Sequence, residues 1–269
     1  MSDEQKIEKL RLGGMALRNG LLVHGPTHWA AAVRTKEGEI KVASGRKPEL
    51  GSRATEKLPG IRGVTKLAEA FAVIPIVKRN LPEARLPMQD ARTLGAMGTA
   101  ALVGQALRIS GPRGLAREGA AALVSLLPAL LALRGGDLAS YHGVEHKSIA
   151  AYEQDSDDAM AASKEHDRCG SNLVAPMLAS ATAGNVAVRR AGITGPAAEA
   201  IVGLGSVAFA VEVFAWSERH SDTALARLLR RPGHEIQRVV GTREPTSEQL
   251  AVGSAALAEI LRVEALAAA

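Results

Sequence analysis

The sequence predicts a mainly α protein: a multi-helix bundle, partly membrane-embedded or membrane-associated, with a small N-terminal β-hairpin element. Three observations predict it. The chain has 49 alanines among 269 residues but only seven aromatic residues. Its core must therefore be built from small side chains that let helices approach closely, and alanine favours helices and is depleted in strands. Four stretches carry no charge: 93–107, 119–133, 169–188 and 200–211. Residues 1–50 read differently, as short apolar pieces punctuated by Gly13-Gly14, Gly20 and Gly25-Pro26.

Taken in order, the segment MSDEQKIEKLRLGG is charged and lacks an apolar h-region, so no cleaved secretory signal is expected and a reducing compartment is the default. WAAAVRT (29–35) and EIKVAS (39–44) flank Lys36-Glu37-Gly38. Two strand-like runs around a glycine-containing turn predict a hairpin. Residues 47–60 read as a loop. Residues 1–50 are thus a glycine-rich β element and residues 51–269 a helical domain, together one composite domain. VTKLAEAFAVIPIVKRNL places apolar residues at i, i+3 and i+4, with Pro75 as a kink or stop.

The first two uncharged stretches reach only about 22 Å as helices, short of a hydrocarbon core of roughly 30 Å, and the fourth is shorter still. Only 169–188 has spanning length. If all four crossed, Arg108, Arg113, Arg117, Arg189 and Arg190 would lie opposite the bulk of the chain, which conflicts with a cytoplasmic bulk under the positive-inside rule. Partial insertion, or helix pairs lying against the bilayer, eases that conflict. A soluble bundle with an alanine-rich core is the alternative. The C-terminal run EPTSEQLAVGSAALAEILRVEAL ends in an amphipathic helix, with Thr246 or Ser247 as its cap and Glu248 in its first turn.

With 46% hydrophobic and 23% charged residues the chain is not disordered. Its net charge of +5 does not predict a nucleic-acid partner, because the arginines are scattered and aromatics are scarce. The single cysteine, Cys169, excludes an intramolecular disulfide and a multi-cysteine zinc module.

The chemistry-bearing segment is YHGVEHKSIAAYE, residues 141–153. On a helix His142 and His146 project from one face and can bind one metal ion. Glu145 between them completes His-x-x-Glu-His, the order found in inverzincins, and can accept a proton from water activated by the ion. Two histidines do not hold a catalytic zinc alone. About twenty residues later His166 and Cys169 form His-x-x-Cys. If both bind, the site is closed and structural; if one binds, a position stays open and Glu145 is a base. Glu212 is a third candidate ligand, against pairing with an arginine. The plain alternative is that the histidines are hydrogen-bonded helix residues and Cys169 a small buried apolar residue.

Tyr-His-Gly-Val-Glu-His-Lys, then Tyr152-Glu153 and His166-Asp167-Arg168-Cys169-Gly170-Ser171, resembles the core signature of the bacterial YqhQ-like family. The likeness extends to Gly13-Gly14, Gly20, Gly25-Pro26, Trp29-Ala30, the Pro59–Gly63 segment, Pro232-Gly233, Gln237, Thr242 and Glu244-Pro245. The chain departs from the family at Met15, Asn19 and Asp167. The resemblance implies a multi-helix membrane protein of unknown function, labelled a metal-dependent enzyme, with His142, His146, His166 and Cys169 as ligands and Glu145 as acid/base.

The expected function is therefore a membrane-associated, zinc-dependent, hydrolase-like enzyme acting on a small-molecule or peptide substrate. The rival is a non-enzymatic membrane scaffold or assembly factor with a structural His/Cys metal site. A lipid bilayer is the expected partner and the inner membrane the expected location.

Overall fold

A computed structural model describes residues 9–51, 58–87, 89–110, 114–134 and 136–269. Residues 52–57 of the expected loop, Arg113 and the first eight residues lie outside the described residues. The expected small β element is present and larger than one hairpin. Strands β1 (Gly13–Leu17), β2 (Gly20–His24), β3 (His28–Arg34) and β4 (Ile40–Arg46) form an antiparallel sheet in the order β1-β2-β3-β4. The expected hairpin is β3–β4, with Arg34 opposite Ile40 and Gly38 at φ +91° in the turn. The extra strands are five residues each and glycine-broken, which hid them in the sequence. Gly20 pairs with Val33, and a side chain there would overlap the Ala32 carbonyl.

Strand alternation sorts the core. Leu21, Val23, Ala30 and Ala32 pack against Tyr141, Val144, Val252 and Ile260 of two helices, α5 (Leu138–Glu153) and α9 (Ser247–Ala268). Leu22, Trp29, Ala31 and Val33 pack on the other face against Val73 and Val77 of α1 (Ile61–Asn80). Pro75 does not end α1, which runs on to Asn80. Thr246 caps α9 and forms a capping box with Gln249, as the sequence predicts. Near the far end of α9, Glu264 accepts the backbone N–H groups of Thr27 and His28 at 2.8 and 2.7 Å, fixing the β2–β3 turn.

Five further helices form two apolar hairpins. The first is α2 (Ala91–Ile109) with α3 (Leu115–Val124) and α4 (Leu127–Arg134); the second is α6 (Val174–Arg190) with α7 (Pro196–Arg219). Among the described residues two helices are long and apolar enough to cross a membrane: the rod Leu115–Arg134 and α7, only 17% and 11% of whose apolar windows are buried.

The helices do not coincide with the uncharged stretches, so their lengths differ from those expected. The 169–188 stretch begins in a turn, and its helix, α6, has 17 residues, about 26 Å. The 200–211 stretch belongs to a helix of 24 residues, about 36 Å. Charge did not end α7 because Glu199 pairs with Arg189 at 3.0 Å and Glu212 with Arg62 at 2.7 Å. Arg108 and Arg189 both reach Glu118, at 3.3 and 2.9 Å, so two of the arginines that opposed the bulk are matched by carboxylates.

His24, at the end of β2, has both ring nitrogens buried without a hydrogen-bond partner. Burial, then the Lys47 charge, lowers its pKa to about 4. The unfolded chain takes this proton first, at about pH 6.5, so the contribution is complete above that value and lost as pH falls toward 4. The wild type is expected to lose about 2 kcal/mol by pH 5 through this residue. Thermal midpoints in detergent at pH 7.5 and 5 check it: His24→Leu should shrink the difference, and an equal drop in both proteins would exclude His24 as the cause.

Candidate metal centre

The site is built on α5, the helix that fills the space between the sheet and the apolar hairpins. His142 and His146 are one turn apart, with ring centroids 4.4 Å from each other. The turn before α6 brings in Cys169, whose Sγ lies 3.4 Å from His142 Nε2. One donor atom from each of these three residues lies within 4.8 Å of the other two. A tetrahedral zinc centre separates a nitrogen and a sulfur ligand by roughly 3.5 Å.

Backbone carbonyls fix the imidazole tautomers. His142 Nδ1 donates to the Gly241 carbonyl at 2.8 Å, and His146 Nδ1 donates to the Lys164 carbonyl at 2.6 Å. A carbonyl can only accept, so each Nε2 keeps its lone pair, the arrangement that second-shell carbonyls impose on metal-binding histidines. Burial, helped by His142, lowers the His146 pKa to about 2 and holds it neutral. Burial pushes the Cys169 thiol up to about 11, so a cation would have to displace its proton. Burial also raises Glu145 above the ordinary carboxylate range, against the opposing pull of His142 and His166.

Two segments distant in sequence hold this arrangement. After α8 (Ala224–Ile236) the chain makes a π-helical turn, Gln237–Gly241, a wide turn often found at functional sites. It presents the Gly241 carbonyl to His142, while the fully buried Gln237 side chain accepts from His166 N–H at 2.8 Å and donates to Ser171 Oγ at 2.8 Å. The next residues pass so close to α5 that Gly143 touches the Arg243 carbonyl. Lys147 is buried and donates to the carbonyls of Met160 and Ala162 at 2.8 and 2.7 Å, which holds the loop leading to Lys164. On the sheet side, a Cβ on Gly14 would stand 2.7–2.8 Å from the Glu145 side chain, so glycine lets that carboxylate lie against β1.

The other expected donors are placed differently. His166 lies on the same cavity but outside the group of three: its Nδ1 accepts the Arg168 N–H at 3.2 Å and its Nε2 faces Glu153 at 3.2 Å. Glu212, the remaining candidate, pairs with an arginine, the alternative that the sequence favoured. Its carboxylate binds the Arg62 guanidinium and the Gly60 N–H, both at 2.7 Å.

His142, Glu145, His146 and Cys169 line a cavity of about 380 Å³. Its apolar wall comes from Pro128, Ala129, Ala132 and Leu133 of α4, and its opposite side from β1. Gln237, Gly241 and Gly14 were not assigned roles from the sequence. Gln237 and Gly14 stand inside the stretches that carried the family resemblance, but their partners are more than 60 residues away and no periodicity points to them.

Residues 137–263 match the model of a family described as a protein of unknown function, DUF1385. The match covers a little under half of the chain and is consistent with the uncharacterised family expected. The DUF1385 segment contains the three donors, Glu145, the Gln237–Gly241 turn and most of α9; the sheet, α1 and the first apolar hairpin precede it. No curated protein and no solved structure matches the chain.

Proposed function

We propose that the protein is a zinc-dependent hydrolase seated at a membrane, with His142, His146 and Cys169 as its metal ligands. The observation that carries this reading is the convergence of three donors, His146 and Cys169 buried and His142 half-buried, two with their lone pairs fixed by carbonyls, on a cavity that also holds a buried carboxylate. Mixed imidazole and thiolate donors suit zinc. Three protein ligands leave a coordination position for reactant, which favours a catalytic over a closed structural site. The ion, when bound, supplies Lewis acidity and makes water a nucleophile near neutral pH.

The chain's own groups divide the remaining work. Glu145 takes the proton of the attacking water and returns it to the leaving group, held for that role against Gly14. The carbonyls of Gly241 and Lys164 orient the imidazoles. His166, its Nδ1 held by Arg168 N–H, lines the cavity as a polar wall.

The bilayer reading rests on exposure. A core helix of a soluble protein of this length would be mostly buried, whereas the two long apolar helices present Leu123, Leu131, Ile201, Leu204 and Phe209 outward. The inner membrane is the proposed location.

Glu145→Gln separates a base from a scaffold. Protein loaded with one equivalent of zinc is assayed with p-nitrophenyl acetate and bis(p-nitrophenyl) phosphate. Wild type is expected to hydrolyse one of these faster than its metal-free form. Glu145→Gln should lose about 10²–10⁴-fold while binding equal zinc. Equal rates in the two proteins, or no metal-dependent rate in wild type, would favour the structural-site reading.

A further inference from the structure

The strand beside the metal centre is an edge strand. β1 pairs with β2, and among the described residues no strand lies along its other side. In an antiparallel pair, residues alternately turn their N–H and C=O groups toward the partner and away from it. Leu17 stands opposite Gly20 across a two-residue turn, which makes that pair the mutually bonded one. Met15 and Gly13 therefore also bond to β2, while the main-chain groups of Gly14 and Ala16 point outward. Among the described residues no main-chain group beyond the sheet bonds to them.

This open edge faces the cavity. Leu12, Gly13, Gly14, Met15 and Ala16 all line it. Successive strand residues point to opposite faces of a sheet, so a cavity against one face would meet every second residue; five in a row place it along the edge. Across the cavity stand Ala129, Ala132 and Leu133 of α4, whose side chains offer the outward groups no partner. At Gly14 the Glu145 side chain packs where a Cβ would otherwise stand. The two edges of the sheet also differ in chemistry. β4, at the far edge, carries Lys41 and Arg46, charges of the kind that guard an edge against a further strand. β1, Gly-Gly-Met-Ala-Leu, carries none.

We infer that the substrate of the metal site is an extended peptide, which pairs with β1 as a fifth strand and lays an amide beside Glu145. The inference deepens the proposed hydrolase and rests on it for the reaction; pairing itself needs only the open edge. Gly14 and Ala16 present their outward groups about 6.6 Å apart, the two-residue repeat of any extended peptide. Main-chain bonds supply the affinity, and the apolar lining selects uncharged side chains. In hydrolysis one water adds across the amide C–N bond: its oxygen joins the acyl carbon, and a proton passes through Glu145 to the departing nitrogen. An ester of a plain acyl chain can fill the same cavity but brings no N–H to the edge.

The test is calorimetric titration of the full chain in detergent. The probes are an acetylated leucyl-alanyl-leucine hydroxamate on zinc-loaded protein, the corresponding peptide amide on metal-free protein, and each of these N-methylated singly at one of two adjacent amide nitrogens. Octanohydroxamate, with apolar bulk but no peptide main chain, is the comparison. Methylation of one nitrogen is expected to weaken binding about tenfold or more and methylation of its neighbour far less, because only alternate N–H groups meet the edge. Octanohydroxamate should bind at least about tenfold more weakly than the peptide hydroxamate. Ala16→Pro removes an outward N–H that the sheet does not use and should weaken the peptide about tenfold with unchanged zinc content. If that variant does not fold, the methylated pair on wild type decides alone. Equal losses from the two methylations, octanohydroxamate as tight as the peptide, a folded Ala16→Pro protein that binds the peptide as wild type does, or no binding of either peptide would each overturn the inference. Alternating methylation sensitivity in a protein that holds no zinc would leave strand addition standing and remove the hydrolase. Zinc-dependent hydrolysis of the small esters without that sensitivity would do the reverse.

Discussion

Gly143→Ala is expected to destabilise the protein by more than about 3 kcal/mol, although alanine is the better helix former by about 1 kcal/mol. The sign is set by the close approach of another backbone. The Cβ of an alanine at 143 would overlap the Arg243 carbonyl oxygen, which is main chain and cannot turn aside as a side chain would. The 241–243 segment is also tied to α5 by the Arg243 N–H to Ala139 carbonyl bond of 2.9 Å. Relief of the overlap requires moving that segment, and with it the Gly241 carbonyl that orients His142. Stability and metal affinity should therefore fall together. Gly170→Ala is the control, since a Cβ there meets nothing within 4 Å. Thermal unfolding of both variants with and without zinc checks the expectation; a Gly143→Ala protein as stable as wild type would contradict the packing of 241–243 on α5.

Removing a ligand has the largest expected effect on the site. His142→Ala, His146→Ala and Cys169→Ala should each weaken zinc binding by at least 10²-fold, beyond the 10–100-fold that loss of a hydrogen bond to a ligand costs. His166→Ala should cost less, because its ring nitrogens face Arg168 N–H and Glu153 rather than the donor group. Competition titrations against a chromogenic chelator rank the four variants. His166→Ala as damaging as the other three would restore it as a ligand and close the site. Folding is followed in parallel by circular dichroism, so that loss of metal is distinguished from loss of structure.

The sequence made legible what depends on short spacing. His142 and His146 share a helix face because they are four apart, the β3–β4 turn is marked by Gly38, and Thr246 marks the start of α9. Cys169 was legible as a donor because four of the chain's eight histidine and cysteine residues fall within 28 residues, 142–169. What escaped depends on contacts across the fold. The Gly241 carbonyl is 99 residues from His142, and main chain at such a distance leaves no side-chain pattern to read. Gly14 reads as punctuation until Glu145 is seen lying against it. Charge misled the reading of the helices: Glu199 and Glu212 bound an uncharged run of sequence but sit inside α7, neutralised by arginines from α6 and α1. The uncharged run 169–188 failed as a span for the opposite reason, because its first residues form the turn that delivers Cys169.

The chain's charge takes on a location through the same contacts. Arginines that look scattered in sequence gather at two places, the Glu118 cluster at the far ends of the apolar hairpins and a groove beside Arg168. Neither place offers the aromatic stacking surface that a single-stranded nucleic acid would use, and Phe214 is the one aromatic residue among the groove's lining side chains.

The most direct test of the metal centre is X-ray absorption at the zinc edge of the protein loaded with one equivalent of the ion. The expected spectrum has a sulfur shell of one atom near 2.3 Å and nitrogen or oxygen scatterers at about 2.0–2.1 Å, with imidazole multiple scattering from two histidines. The sulfur shell should vanish in Cys169→Ser. A wild-type spectrum with no sulfur shell, or protein that retains no stoichiometric zinc, would contradict a centre formed by His142, His146 and Cys169.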